Sequence, residues 1–296
     1  MKKVNFRYSK IVAADQHVTE KNFWLNQLSG DLVKSFLPID QKEIDRGQGS
    51  RGVEHFELDG QLFTRIMELG RQSEYRLHII LMAGIILLLN KYTGNPEIIV
   101  ATPIYKPEIQ GEFTNTILPL RTYIKSETTF NSLLKQVGQS LVGASKHQNY
   151  PIDVLLDQMG MPILNNETSL LETAVVVENI HQREHIQNIY PGILFSFLCT
   201  RSSIKGEMEY RRGLYESTSI RRYIKHLKHL LSGAVSDLNA PVSYLGLLSG
   251  QERKQILVNF SSPDRDKPGY PGAVDWREST IQRLLEEQVE KKFPVD

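Results

Sequence analysis

The longest apolar segment of the sequence covers residues 78–89, and its side chains would occupy every face of a helix. Gly94 follows as a suitable C-cap, because glycine enters the left-handed conformation without strain. A helix that is apolar on all sides must be covered by other elements. The segment is also shorter than the roughly 20 apolar residues that a membrane span requires. The pattern therefore predicts the central buried helix of a soluble α/β core, and no membrane segment.

Periodic segments on both sides of this helix predict a mixed β-sheet packed with helices. Runs rich in β-branched residues and bounded by turn residues predict strands over residues 53–58, 97–102, 111–121, 173–177, 193–198 and 207–210. Amphipathic spacing predicts helices over residues 19–28, 60–72, 130–146, 152–159 and 217–231. The expected N-caps are Thr19, Asp59 and either Thr128 or Thr129.

The composition changes near the C-terminus. Residues 261–272 are rich in proline, glycine, aspartate and serine, which is typical of a linker. An amphipathic helix is predicted after it. We therefore divide the chain into a folded unit (1–260), a linker (261–280) and the start of another domain (281–296).

Charge and cysteine content narrow the class of protein. The formal net charge of +1 gives no electrostatic reason to expect nucleic acid as a partner. The single cysteine, Cys199, cannot form an internal disulfide, which is typical of a reducing compartment. The N-terminal residues are basic but lack the apolar core of a secretory signal. We expect a cytoplasmic protein.

Residue spacing predicts neither a catalytic constellation nor a metal site. His181 and His185 come closest to a zinc-binding pair, but their polar neighbours indicate a solvated turn. His226 and His229 lie among lysines, which is typical of a solvated helix face. Cys199 lies in an apolar strand and is expected to be a buried, inert thiol. No nucleophile elbow or phosphate loop occurs.

Seven segments, in order, resemble motifs of nonribosomal peptide synthetases. Six resemble condensation-domain motifs: KNFWLNQLSG (21–30), IIVATP (98–103), GEFTNTILPLR (111–121), HQNYPID (147–153), TAVVVEN (173–179) and LLSGQER (247–253). The seventh, IQRLLEEQV (281–289), resembles the opening helix of an adenylation domain. The resemblance identifies the chain as the C-terminal half, or second lobe, of a condensation domain, followed by that helix.

The resemblance implies a fold and a mode of action. Condensation domains consist of two chloramphenicol-acetyltransferase-like α/β lobes with a tunnel between them. Carrier proteins insert phosphopantetheine arms from both ends, so the chain itself is expected to bind no cofactor. The histidine signature of the family, HHxxxDG, belongs to the first lobe. No two histidines are adjacent in this chain, so the resemblance implies one tunnel wall without the histidine chemistry.

The motif residues expected at the tunnel wall are Asn115, Arg121, His147 and Tyr150. Each also has a structural interpretation, which we favour for the first three. The Asn115 amide can bond to backbone, the Arg121 guanidinium can pair with a carboxylate, and His147 can cap the preceding helix. Tyr150 precedes a proline that turns the chain into the next helix. No catalytic residue and no metal ligand is predicted.

The sequence departs from the family at three places. The loop between Pro103 and Gly111 is shorter and lacks the motif AGR, and Asn149 and Asp153 replace aspartate and glutamate of the motif HQDYPFE. Residues 168–172 replace a segment that carries an arginine. In the family this arginine is expected to form a structural ion pair near the tunnel. Its loss suggests relaxed selection on catalysis.

The leading hypothesis is a truncated condensation domain that serves as a structural and docking platform in the biosynthesis of peptide secondary metabolites such as antibiotics. Its expected partners are a downstream adenylation domain and peptidyl carrier proteins, with a separate N-terminal lobe or a second copy as further candidates. The alternative is an active, amide-forming domain completed by a histidine-bearing lobe from another chain or from upstream sequence. A stand-alone acyltransferase is disfavoured, because such enzymes carry HxxxD in their first lobe.

Overall fold

The computed structural model describes residues 18–40, 50–103, 117–148, 150, 152–158, 170–182 and 191–254. The chain divides into two compact units, Met1–Ser249 and Gly250–Asp296. The second unit contributes only a helical turn at residues 250–254 to the described part. The linker and final helix predicted after residue 260 lie outside the described residues, as do residues 111–116 of one predicted strand.

The described part of the first unit is a mixed sheet packed with helices, as the sequence predicts. The helices are α1 (Val18–Gln27), α2 (Gly60–Gly70), α3 (Glu74–Thr93), α4 (Phe130–Lys146), α5 (Ile152–Gln158) and α6 (Ser217–Ser236). The strands are β1 (Arg51–Leu58), β2 (Glu97–Pro103), β3 (Ile117–Tyr123), β4 (Thr173–Val177), β5 (Ile193–Cys199) and β6 (Ile204–Arg211). A short 3₁₀ helix follows at Val242–Tyr244.

The sheet has the strand order β1-β6-β5-β4-β2-β3. β4 runs parallel to both β2 and β5, whereas the β2–β3, β5–β6 and β1–β6 pairs are antiparallel. α3 packs against β2 and β4, α4 packs against β3, and α6 packs against β1. This arrangement confirms the predicted α/β class.

α3 is the predicted central helix, extended by several residues at each end. Gly94 caps it in the left-handed conformation, with φ of 67°. By length and composition α3 could cross a membrane, so the length argument made from the sequence was wrong. Its most apolar window is nevertheless 67% buried inside the protein. Such burial is typical of a core helix, as the apolar pattern predicts.

The predicted N-caps meet different outcomes. Thr129 caps α4 in a reciprocal capping box with Ser132, which settles the choice between Thr128 and Thr129. Asp59 occupies the N-cap position of α2, but its side chain makes no capping bond. Thr19 lies within α1, so the prediction that it caps that helix was wrong.

The segment that follows α1 lies beside β2 and β4, where these two strands of the sheet pair only briefly. These two strands share one paired position, Ala101 with Ala174. Ser35 lies beside them: its Oγ accepts a bond of 2.8 Å from the Ile99 amide, and its carbonyl accepts one of 2.9 Å from the Thr173 hydroxyl. Ser35 thus satisfies the Ile99 amide, a backbone group that a longer strand pairing would otherwise use.

The same segment caps α6 from a distance. Glu216 occupies the N-cap position but makes no side-chain capping bond. Instead the Asp40 carboxylate accepts bonds from the Glu216 amide at 2.8 Å and the Ser219 hydroxyl at 2.6 Å. A carboxylate at a helix N-terminus is favoured by the helix dipole. Asp40, in the segment between α1 and β1, therefore fixes the start of α6.

The close packing of α3 on α6 generates a prediction. A Cβ added at Gly84 would lie 2.5 Å from Leu231 Cδ2. We expect Gly84→Ala to destabilise the protein, because overpacking of about 1–3 kcal/mol outweighs a gain of about 1 kcal/mol in helix propensity. Urea unfolding should be measured for G84A, L231A and G84A/L231A. The G84A substitution should lower the free energy of unfolding less in the L231A background than in the wild type.

Gly138 on α4 provides the matched control. Its Cβ would lie 3.3 Å from the flexible Ile79 Cδ1, so Gly138→Ala should be neutral or stabilising. Equal stability changes for the two glycine variants, or strict additivity of G84A with L231A, would contradict the packing account.

Candidate functional site

Arg121 is a structural hub at the edge of the sheet. Its guanidinium pairs with Glu97 of β2 at 2.7 Å, and both side chains are less than one quarter exposed. It also donates to the carbonyl oxygens of Gln27 at 3.2 Å and Ser29 at 2.6 Å, at the C-terminal end of α1. Cations are favoured at this end of a helix because free carbonyls point outward there. Arg121 therefore anchors α1 to β2 and β3.

His147 has the capping role that the sequence favours. It is the C-cap of α4, and its ring Nδ1 donates to the Gly143 carbonyl at 2.8 Å. Its own carbonyl accepts a bond from Trp24 Nε1 at 2.8 Å, and its ring stacks on Phe23 with centroids 4.1 Å apart. These contacts attach α1 to the end of α4.

The remaining two predicted tunnel residues give less information. Tyr150 is 1% exposed, so its ring belongs to the core. Asn115 lies outside the described residues. Arg121 and His147 share one feature, which is that both contact α1. Arg121 binds the C-terminal end of α1, and His147 contacts Phe23 and Trp24. Their place on a tunnel wall stays a prediction.

Two histidines that sequence patterns place in solvent are buried. His181 is 3% exposed and its Nδ1 accepts a bond from the Val177 amide at 3.0 Å, so the prediction of a solvated turn was wrong. His226 is 2% exposed and its Nδ1 lies 2.5 Å from the Tyr92 hydroxyl. The neighbouring lysines suggested a solvated position, but His226 lies on the buried face of α6 together with Tyr223 and Leu230. His229 is exposed, as predicted, and His185 lies outside the described residues.

His78 and His181 form a buried pair beside the ends of β2 and β4. Their rings meet edge to face with centroids 4.6 Å apart. His78 Nε2 also lies 3.0 Å from the Thr102 hydroxyl. Burial, together with the neighbouring His181, holds the pKa of His78 well below its usual value. The imidazole is therefore neutral in the folded protein at neutral pH.

Cys199 is half-buried at the end of β5, slightly more exposed than predicted. Burial raises its pKa, and the nearby Glu74 carboxylate adds to the effect. Its sulfur lies 3.8 Å from that of Met67. A thiol with a raised pKa is a poor nucleophile at neutral pH, which agrees with the inert role expected from the sequence.

Sequence reasoning missed an ion pair between Glu172 and Arg211. The two side chains meet at 2.5 Å, and the same carboxylate oxygen accepts a bond from the Gly192 amide at 3.2 Å. Glu172 lies in the segment that departs from the family pattern. No local sequence signal marks the pair, because its members are far apart in the chain and only the sheet brings them together.

Two open pockets on the described surface have volumes of about 410 and 420 Å³. The first surrounds Arg121 between α1, β3 and α4, and the second lies on α2 around Phe63 and Met67. Neither lining includes a histidine or a cysteine. Among the described residues, no group of three or more potential ligands could hold a metal ion.

The contacts of Arg121 lead to a prediction about stability. We expect Arg121→Met to lower the free energy of unfolding by roughly 1–3 kcal/mol, because it leaves Glu97 and two carbonyls without their partner. Urea unfolding measures the change, and R121M/E97Q should cost less than the sum of the single variants. Arg76→Met, at an exposed position of α3, should change stability by less than about 0.5 kcal/mol. An unaltered stability of R121M would refute the anchoring role.

The buried His78 makes a prediction about pH. Its pKa is lowered in the folded state, so below about 6.5 the unfolded chain binds a proton that the folded chain does not. Stability should be fully present above that pH and should decrease toward pH 5.5, by at most about 1.4 kcal/mol per pH unit from this group. His78→Gln should flatten the urea-unfolding profile between pH 7.5 and 5.5.

The exposed His55 is the control for this experiment, because its removal should leave the slope in place. A flat wild-type profile over this range would refute the predicted acid sensitivity. An unchanged slope in H78Q would show that another group controls it.

Comparison with known proteins shows the family. The model of the condensation domain family matches residues 4–257. The chain is 25% identical to bacitracin synthase 3 of Bacillus licheniformis and 27% identical to tyrocidine synthase 3 of Brevibacillus parabrevis. These alignments cover 94% and 96% of this chain but only 4% of each synthase. The chain therefore corresponds to a small part of these relatives.

Solved structures agree with the fold. The X-domain from teicoplanin biosynthesis matches with a TM-score of 0.68 at 16% identity, covering 81% of this chain and 60% of that one. A four-domain nonribosomal peptide synthetase bound to AMP and glycine matches with a TM-score of 0.69 at 16% identity, covering 92% of this chain and 23% of that one. At such identities the likeness concerns the fold, whereas the family match extends over most of the sequence. The chain belongs to the condensation domain family of nonribosomal peptide synthetases.

Proposed function

We propose that the chain is the second lobe of a condensation domain, which acts as a structural and docking platform within a peptide synthetase. The observation that carries the proposal is the use of the motif residues Arg121 and His147. The Arg121 guanidinium is directed to two backbone carbonyls and Glu97, and the His147 ring Nδ1 is directed to the Gly143 carbonyl. Both residues also hold α1 in place. Side chains committed in this way supply shape rather than acid–base chemistry.

Three of the other described histidines support the same proposal, whereas His55 and His229 are exposed. His78, His181 and His226 are buried in the core, and each has a partner there. A general base must reach the proton that it removes, and these three rings are enclosed by their own lobe. The whole sequence also contains no two adjacent histidines, so the HHxxxDG signature is absent from this chain.

The proposed partners follow from the family. Condensation domains work with the adenylation and carrier domains of multidomain synthetases. For this chain we propose a following adenylation domain, which the sequence at residues 281–289 resembles, and carrier proteins whose phosphopantetheine arms bring the reactants. The protein would act in the cytoplasm, in a pathway that forms a peptide secondary metabolite.

The proposal predicts that the chain alone forms no amide bond. Donor and acceptor carrier proteins loaded with aminoacyl groups should remain unchanged after incubation with it, because no positioned base is supplied. Mass spectrometry of both carriers detects the outcome. Dipeptide on the acceptor above the level without protein would show that this chain carries the chemistry itself.

A second arm tests the alternative of an enzyme in two pieces. A condensation-domain N-terminal lobe bearing HHxxxDG is added to the same reaction, and its second histidine is replaced by alanine in the control. Amide formation that requires both the lobe and its histidine would favour an active domain completed in trans. Absence of product in both reactions is the result that the platform predicts.

A further inference from the structure

The outer face of α6 carries a row of basic side chains that the core does not use. We define the basic stripe as Arg221, Arg222, Lys225, Lys228 and His229. All but the half-buried Lys228 are exposed. The opposite face of α6, with Ile220, Leu227 and Leu231, is buried against the lobe. The stripe therefore lies on the side of the helix that is free to meet a partner.

One described carboxylate approaches the stripe: Asp40 accepts a bond from the Ser219 hydroxyl, to which Arg222 donates. No aspartate or glutamate occurs between Glu216 and Asp237. None of its members forms a salt bridge with a described carboxylate. Arg222 comes closest to internal use: it donates to the Ser219 hydroxyl at 3.0 Å and lies over the Tyr223 ring. The protein as a whole is almost neutral, so this concentration of positive charge is local.

The stripe does not serve the stability of its own helix. Lys225 lies three or four residues from Arg221, Arg222, Lys228 and His229, and like charges at these spacings repel each other on a helix. Cations help a helix in its last turn, yet the last turn of α6 contains none. Such an arrangement is explained by an anionic partner.

We propose that the basic stripe is a docking surface for an acidic helix of another protein domain. Carboxylates at positions i, i+4 and i+7 of a partner helix would face Arg221, Lys225 and Lys228, whose spacing is the same. An anionic membrane fits less well, because the apolar side of α6 is already buried and cannot insert. Nucleic acid fits less well, because the near-zero net charge supplies no wider attractive field.

The interaction is of the transient kind. Exposed charge pairs contribute little affinity individually, but they accelerate association and make it sensitive to salt. A partner domain tethered in the same assembly needs only weak affinity, because the tether raises its effective concentration. The inference uses only the charge pattern of α6, so it stands whether or not the lobe is catalytically active.

The test uses the full chain and a helix-constrained peptide that carries glutamate at positions i, i+4 and i+7. Fluorescence anisotropy at low salt should detect binding, and 0.5 M salt should abolish it because the Debye length falls to roughly 4 Å. K225E/K228E should weaken binding about tenfold or more, whereas K225Q/K228Q should cause a smaller loss. K125E/K135E, at exposed lysines outside α6, makes the same change in net charge and should bind like the wild type.

Duplex DNA and vesicles of phosphatidylglycerol and phosphatidylcholine are measured under the same conditions. The proposal requires the acidic helix to bind more tightly than either competitor. It is overturned if the peptide does not bind at low salt, if both double glutamate variants lose binding equally, or if DNA or vesicles bind more tightly. Circular dichroism melts of each variant establish that the stripe variants remain folded.

Discussion

The burial of α3 is the constraint on which the rest of the lobe depends. This helix is apolar on every side, so leaving any face in water would expose a large hydrophobic surface. The sheet covers one side through β2 and β4, and α2, α4 and α6 cover the others. Gly84 brings α6 close enough for Leu231 to fill the contact. Each surrounding element is placed by its share in covering α3.

Polar ties then fix elements that lie farther from α3. Arg121 and His147 hold α1, Ser35 joins β2 to β4, and Asp40 caps α6. All four act on backbone groups that would otherwise lose their hydrogen bonds on burial. The family motifs at Arg121 and His147 can thus be explained by folding alone.

Local pattern was sufficient for most of the fold. Runs of β-branched residues and helical spacing locate the six described strands and the six α-helices, because these elements bury one face or all faces. They did not predict the 3₁₀ helix at Val242–Tyr244. Thr129 and Gly94 act as caps because their chemistry satisfies the helix end beside them. The sequence could not show that Asp40 caps α6 or that Glu172 pairs with Arg211, because these partners meet only after the sheet has formed. The burial of His181 and His226 was not predicted, because polar neighbours in the sequence do not show which residues pack against a side chain in the folded protein. Of the candidate tunnel residues, Arg121 and His147 could be interpreted correctly as structural from their positions at element ends.

Native-state amide hydrogen exchange tests the central claim most directly. If burial of α3 organises the whole lobe, the slowest amides of α3, β2 and β5 should exchange only through global unfolding. Their opening free energies should then coincide with each other and with the unfolding free energy from urea. The account would be contradicted if α3 amides opened at a distinctly lower free energy while α6 and the β1–β6 pair stayed protected, because the lobe would then persist without its central helix.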